Sequence, residues 1–137
     1  MIAVDTNVLV RLLVDEPSRP DQVAAARKLA SEAGRVHVPL VVLVEMVWVL
    51  ASCYQVGKPQ LLEVLAHLLG NEAFDLEAAE RCAQALALFQ QGKADFSDCV
   101  ILAGCARRGL TLYTFDKRLG RMEGARLSSG RIPKQGG

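Results

Sequence analysis

At 137 residues the chain is long enough for one compact domain with a real hydrophobic core. Half of its residues are apolar (51%) and mean hydropathy is positive, which excludes a disordered chain. The apolar runs are too short and too interrupted for a membrane span. The net charge of +1 conceals an asymmetry: residues 1–92 hold 7 basic and 11 acidic side chains, and residues 93–137 hold 9 basic and 4 acidic ones. The opening Met-Ile-Ala-Val-Asp has no basic region ahead of an apolar one, so an exported protein is not expected and a cytoplasmic one is. Four cysteines (Cys53, Cys82, Cys99, Cys105) form no C-x-x-C pair, so free thiols in a reducing compartment are expected.

In chain order, Met1–Val4 is a short apolar run ended by Asp5 and reads as a buried strand. A helix is predicted over Thr6–Val14, closed by Asp15-Glu16-Pro17, and a second over Pro20–Ala33, stopped by Gly34. Val36–Val38 is a short strand. Leu40–Tyr54 and Lys58–Leu69 are helices, the latter ended by Gly70. A strand over Ala73–Leu76 leads to a helix over Glu77–Gln90. Asp98–Arg108 is apolar on nearly all sides, which predicts a buried helix ended by Gly109. Leu110–Thr114 is a strand, Asp116–Leu119 a helical turn and Ala125–Ser128 a final strand. The domain is expected to span residues 1–130, with 131–137 a frayed tail.

Short apolar strands alternating with helices predict an α/β fold: three α/β/α layers around a central, mostly parallel sheet of about five strands. In such sheets functional side chains gather beyond the carboxyl ends of the strands. Asp5 and Asp116 each follow a predicted strand, and Asp98 opens the helix that feeds the next one. Three acids from separate elements can therefore meet at one edge.

Glu45 is the most informative acid. It lies inside the longest apolar stretch, Val38–Ala51, and no Lys or Arg occurs between Arg35 and Lys58. Burying that carboxylate is costly without a partner, which points to a remote cation. The other reading is that the helix turns Glu45 outward, on a face apolar enough to be a protein interface. Asp5, Asp98 and Asp116 also have a structural reading as helix caps, and Asp95-Phe-Ser-Asp98 resembles a capping box. Gathered together, the four carboxylates would repel one another unless a hard divalent ion joined them, and Mg²⁺ or Mn²⁺ fits oxygen ligands. Only His37 and His67 exist and neither lies near the acids, so zinc and a two-histidine ribonuclease mechanism both lack candidates. Metal-assisted hydrolysis of a phosphodiester remains, with the ion lowering the pKa of water from ~16 towards neutrality. The Arg-rich C-terminal third, notably Arg107, Lys117, Arg118 and Arg121, can hold phosphates; a solvated face with a basic tail accounts for the same charges.

Four segments stand in an order and spacing that resembles the PIN domain, specifically the VapC-type ribonuclease toxins of type II toxin–antitoxin systems. They are Ile2–Leu9, Val44–Leu50, Ala94–Ala103 and Leu112–Lys117. The resemblance implies a Rossmann-like parallel sheet and a Mg²⁺- or Mn²⁺-dependent endoribonuclease. By position it makes Asp5, Glu45 and Asp98 the core acids and Asp116 the fourth. It has Thr6 or Thr114 positioning water or an acid, and Asn7 supporting the first turn. Asp95 is either a further acid or only a helix cap. The family also implies an RNA substrate, whose backbone Arg107, Lys117, Arg118 and Arg121 would hold, a homodimer and a VapB-like antitoxin that blocks the site. The apolar patterns of Leu40–Tyr54 and of Leu61, Leu62, Leu65, Leu68 and Leu69 fit such interfaces, and core packing fits them equally. Two rival functions stay open: a Mg²⁺-dependent phosphatase with an Asp nucleophile, and a non-catalytic partner-binding module whose acids only cap helices.

Overall fold

The computed structural model describes residues 1–131, so the expected tail lies, past Arg131, outside the described residues. Twelve elements follow in the expected alternation: β1 (Ile2–Ala3), α1 (Thr6–Leu13), α2 (Pro20–Ala33), β2 (Val36–Val38), α3 (Leu40–Cys53), α4 (Lys58–Gly70), β3 (Phe74–Leu76), α5 (Ala79–Gln91), α6 (Phe96–Arg107), β4 (Leu112–Thr114), α7 (Lys117–Gly120) and β5 (Ala125–Leu127). Local chemistry sets their ends. Pro20 starts α2 where a missing N–H is harmless, and Gly34 closes it at φ 77° with its N–H on Ala30 O. Helix α5 starts two residues later than its pattern predicts, because Glu77 N–H is held by Val38 O at 3.0 Å. Helix α6 starts two residues earlier, which leaves Asp98 in its first turn.

Strands β1, β2 and β3 pair in parallel in that order, with Ile2 opposite Val36 and Val36 opposite Phe74. Strands β4 and β5 form a second parallel pair, with Leu112 opposite Ala125. The expected single sheet of about five strands is thus divided three and two. β1 spans only two residues before Asp5 caps α1, and the N–H groups of Ile2 and of Val4 just after it bind Arg35 O and His37 O, while β4 and β5 close on each other through Leu112 N–H to Gly124 O and Ser128 N–H to Thr114 O.

The core joins β1 and β2 to α1, α3, α4, α5 and α6. Leu9, Leu43, Met46, Leu50, Leu65, Leu68 and Leu102 are fully buried at its centre. Each such side chain is worth roughly 1.5–3 kcal/mol of burial. Helix α1 packs on α2 and α3, and α5 packs on α4 and α6. In α4, Leu61, Leu65 and Leu68 are buried and Leu62 and Leu69 lie against the core, so its broad apolar face is core packing. The β4–β5 unit docks through buried Leu119 and through Gly124, whose backbone lies against Leu102. Among the described residues no helix is long and apolar enough to cross a membrane.

Candidate active site

Asp5 follows β1 and caps α1, its Oδ1 accepting Val8 N–H at 3.0 Å. Asp116 follows β4 and caps α7, its Oδ1 accepting the N–H groups of Arg118 at 2.8 Å and Leu119 at 3.0 Å. Asp95 occupies the cap position of α6, yet its side chain makes no capping bond. The resemblance of Asp95–Asp98 to a capping box is therefore not realised, and Asp95 keeps its carboxylate free. Asp98 follows one turn later. Burial, then Asp95, then Asp116 hold its carboxyl above the usual range. The arrangement brings Asp95 and Asp116 each within electrostatic reach of Asp98.

Glu45 corrects an expectation. It is exposed, as are Val41 (70%) and Trp48 (64%) on the same stripe of α3. The cause is the register of α3: Val42, Leu43, Met46, Val47 and Leu50 turn inward, so the stripe 41–45–48–52 must turn out. Glu45 therefore needs no buried cation to offset desolvation. Of the other acids, Asp95 alone shares a cavity with it: Glu45, Trp48, Leu61, Phe89, Asp95 and Phe96 line one hollow of about 630 Å³. Asp5 faces a different, smaller cavity with Asn7, Arg11 and Gln22, where Arg11 also donates to Tyr54 Oη at 2.9 Å.

Thr6 is buried at the start of α1, and Asn7 beside it is exposed. Thr114 Oγ1 accepts Asp116 N–H at 3.0 Å and so steadies the turn that presents Asp116. Of the basic residues singled out, Arg118 and Arg121 line a cavity of about 410 Å³ with Lys93, and Lys117 is exposed on α7. Arg107 stands apart. It is paired with Glu80 at 3.0 Å and lies nine residues beyond Asp98, about 14 Å along α6. Lys93 was not distinguished from the general basic set by sequence; its place two residues before Asp95 was the available signal.

Among the described residues, no three His, Cys, Asp or Glu side chains stand close enough to ligate one metal ion. The donor chemistry nevertheless suits a hard divalent cation. Burial first, then the carboxylates of Asp95 and Asp116, disfavour the charged form of Asp98, and a positive charge beside it would offset that.

Comparison with known proteins adds independent findings. The family model described as PIN domain matches residues 2–125. The chain is 25% identical over 120 residues to a VapC ribonuclease of Aquifex aeolicus (strain VF5), covering 86% of this chain and 89% of that protein. No solved structure matches the chain significantly.

Proposed function

The chain belongs to the PIN domain family, and on that footing we propose that it is a VapC-type toxin: a Mg²⁺- or Mn²⁺-dependent endoribonuclease acting in the cytoplasm under the control of a VapB-like antitoxin. The observation that supports this reading is the placement of Asp116 just past β4 and of Asp95 and Asp98 at the start of α6, where burial first, then the Asp95 and Asp116 carboxylates, hold the Asp98 carboxyl above its usual range. Folding gains nothing from such repulsion; a site for a cation and a phosphodiester does. The relative named a VapC ribonuclease supports the choice of RNA over other phosphate esters.

Asp5, Glu45, Asp98 and Asp116 would hold the metal, with Asp95 as an additional acid. A bound divalent ion acidifies water and offsets charge that builds at phosphorus. The chain's own contribution is positional. The caps at Asp5 and Asp116 aim each carboxylate, the Thr114 hydroxyl fixes the turn before Asp116, and Arg118 and Arg121 hold backbone phosphates. The exposed Val41 and Trp48, which line the same cavity as Glu45 and Asp95, support a homodimer and an antitoxin contact on that flank.

The deciding experiment incubates RNA with the protein in Mg²⁺, Mn²⁺ or EDTA. Cleavage in either metal, absent in EDTA and in Asp98→Asn, is the expected result. A phosphorylated enzyme without RNA cleavage would favour the phosphatase reading. Neither cleavage nor any metal-dependent rise in melting temperature would leave a non-catalytic binding module.

A further inference from the structure

We propose that the cavity formed by Leu88, Lys93, Arg118, Arg121 and Met122 is a nucleotide subsite, which holds a backbone phosphate of the RNA on its three cations and the attached base on its apolar floor. The inference rests on the ribonuclease reading and adds to it where the strand runs. Three observations carry it. The first is unneutralised charge. Arg19, Arg27, Lys28, Arg35 and Arg107 each lie within ion-pair distance of a carboxylate, whereas Lys93, Arg118 and Arg121 pair with none among the described residues. They converge instead on one hollow of about 410 Å³, of a size suited to one small-molecule unit, with Glu123 as the acid on its rim.

The second observation is position. Lys93 stands two residues before Asp95, and Arg118 gives its backbone N–H to Asp116 at 2.8 Å. The cavity therefore adjoins the acidic cluster along both approaches of the chain. A strand whose scissile phosphate lies at the acids would bring a neighbouring phosphate to these cations. The third is the floor. Lys58 Nζ donates to Gly92 O at 2.7 Å and lies over the Phe89 ring, which fixes the end of α5. Gly92 lets Met122 close over it; a Cβ there would stand 3.3 Å from Met122 Cε. A polarisable thioether beside Leu88 suits the face of a base. An acidic peptide would use the cations alone, while a nucleotide fills both halves.

The test measures binding of a fluorescent single-stranded oligoribonucleotide in EDTA across a salt series, together with steady-state cleavage in Mn²⁺. Lys93→Ala, Arg118→Ala and Arg121→Ala are compared with wild type and with Lys28→Ala on α2 as the control. Each cavity variant is expected to weaken binding several-fold and to reduce the salt slope by about 1. KM should rise with kcat little changed. Lys93→Arg should restore binding, and Met122→Ala should weaken it without altering the slope. These cations are exposed, so melting temperatures should match wild type; Lys93→Gln and Arg118→Gln replace any alanine variant that melts early. Wild-type slopes and KM in all cavity variants would overturn the subsite while leaving the nuclease intact. Absence of cleavage by the wild-type protein would remove the ribonuclease reading, and the EDTA series would still decide the subsite. Binding of poly-glutamate but not of the oligoribonucleotide would assign the cavity to an acidic protein partner and overturn the proposal.

Discussion

Asp116 accepts the backbone N–H of Arg118 on one carboxylate oxygen at 2.8 Å, so the residue proposed to hold metal also starts the helix that carries the basic Lys117 and Arg118. The two roles separate by substitution. Asparagine caps a helix about as well as aspartate but carries no charge. Asp116→Asn should therefore keep the melting temperature and lose most RNA cleavage, whereas Asp116→Ala should lose cleavage and roughly 1 kcal/mol of stability as well. The same contrast applies to Asp5, whose Oδ1 caps α1 through Val8 N–H. Thermal melts beside a cleavage assay on the four variants check this. Full activity in both asparagine variants would reduce the two acids to caps.

Asp98 gives the opposite sign. Its folded-state pKa lies above the unfolded value, because burial, Asp95 and Asp116 all disfavour the charged form. Its contribution to stability is thus fully present below the unfolded pKa and lost as pH rises through the folded one. At neutral pH the ionised Asp98 opposes folding. Asp98→Asn should abolish cleavage and yet raise stability in EDTA. The gain should be at most about 0.5 kcal/mol, since the group is largely solvent-screened. The difference from wild type should vanish in melts at a pH below the carboxylate range. A loss of stability at neutral pH would show that Asp98 makes a structural interaction instead.

The order of strands and helices was legible because each element carries its own punctuation, as Gly34 and Pro20 do for α2. The positions of Asp5, Asp95, Asp98 and Asp116 were legible because each stands at a strand end or helix start. What could not be read was orientation. The stretch around Glu45 is apolar on every side of α3, so its periodicity carries no phase; only packing against α1, α4 and α6 decides that 42, 43, 46, 47 and 50 face inward. The division of the sheet depends on long-range pairing of β1, which is local to no motif. Asp95 posed the same problem at smaller scale. Cap and free carboxylate share one sequence signature, and only the absence of a capping bond separates them.

The thiols divide by burial. Cys99 is buried in α6, and burial with the nearby Asp98 pushes its pKa up to about 11. At pH 8 only about one molecule in a thousand would carry that thiolate. Cys82 is raised in the same direction, chiefly by burial, while Cys53 is exposed. In the native protein an alkylating reagent should modify Cys53 promptly and leave Cys82 and Cys99 unmodified until the core opens. Mass spectrometry of a timed alkylation reads the order. Early labelling of Cys99 would mean that α6, and with it Asp98, separates readily from the core.

Trp48 is the only tryptophan and lies 64% exposed on α3, one turn from Glu45 and flanked by Val41 at 70% exposure. A large ring left in water on a stripe opposite the core adds little to the stability of a single chain, so Trp48→Ala should change a monomer's unfolding free energy by less than about 1 kcal/mol. Association is another matter, because aromatic anchors of this kind dominate interface energetics. If the stripe is the homodimer contact, wild-type protein should show the mass of a dimer by light scattering. Its tryptophan emission should shift to the blue as concentration rises, and Trp48→Glu should be a folded monomer at the same concentrations. Wild-type protein that remains monomeric, with emission at the water-exposed position throughout, would remove the homodimer through α3 and leave the stripe to a different protein partner.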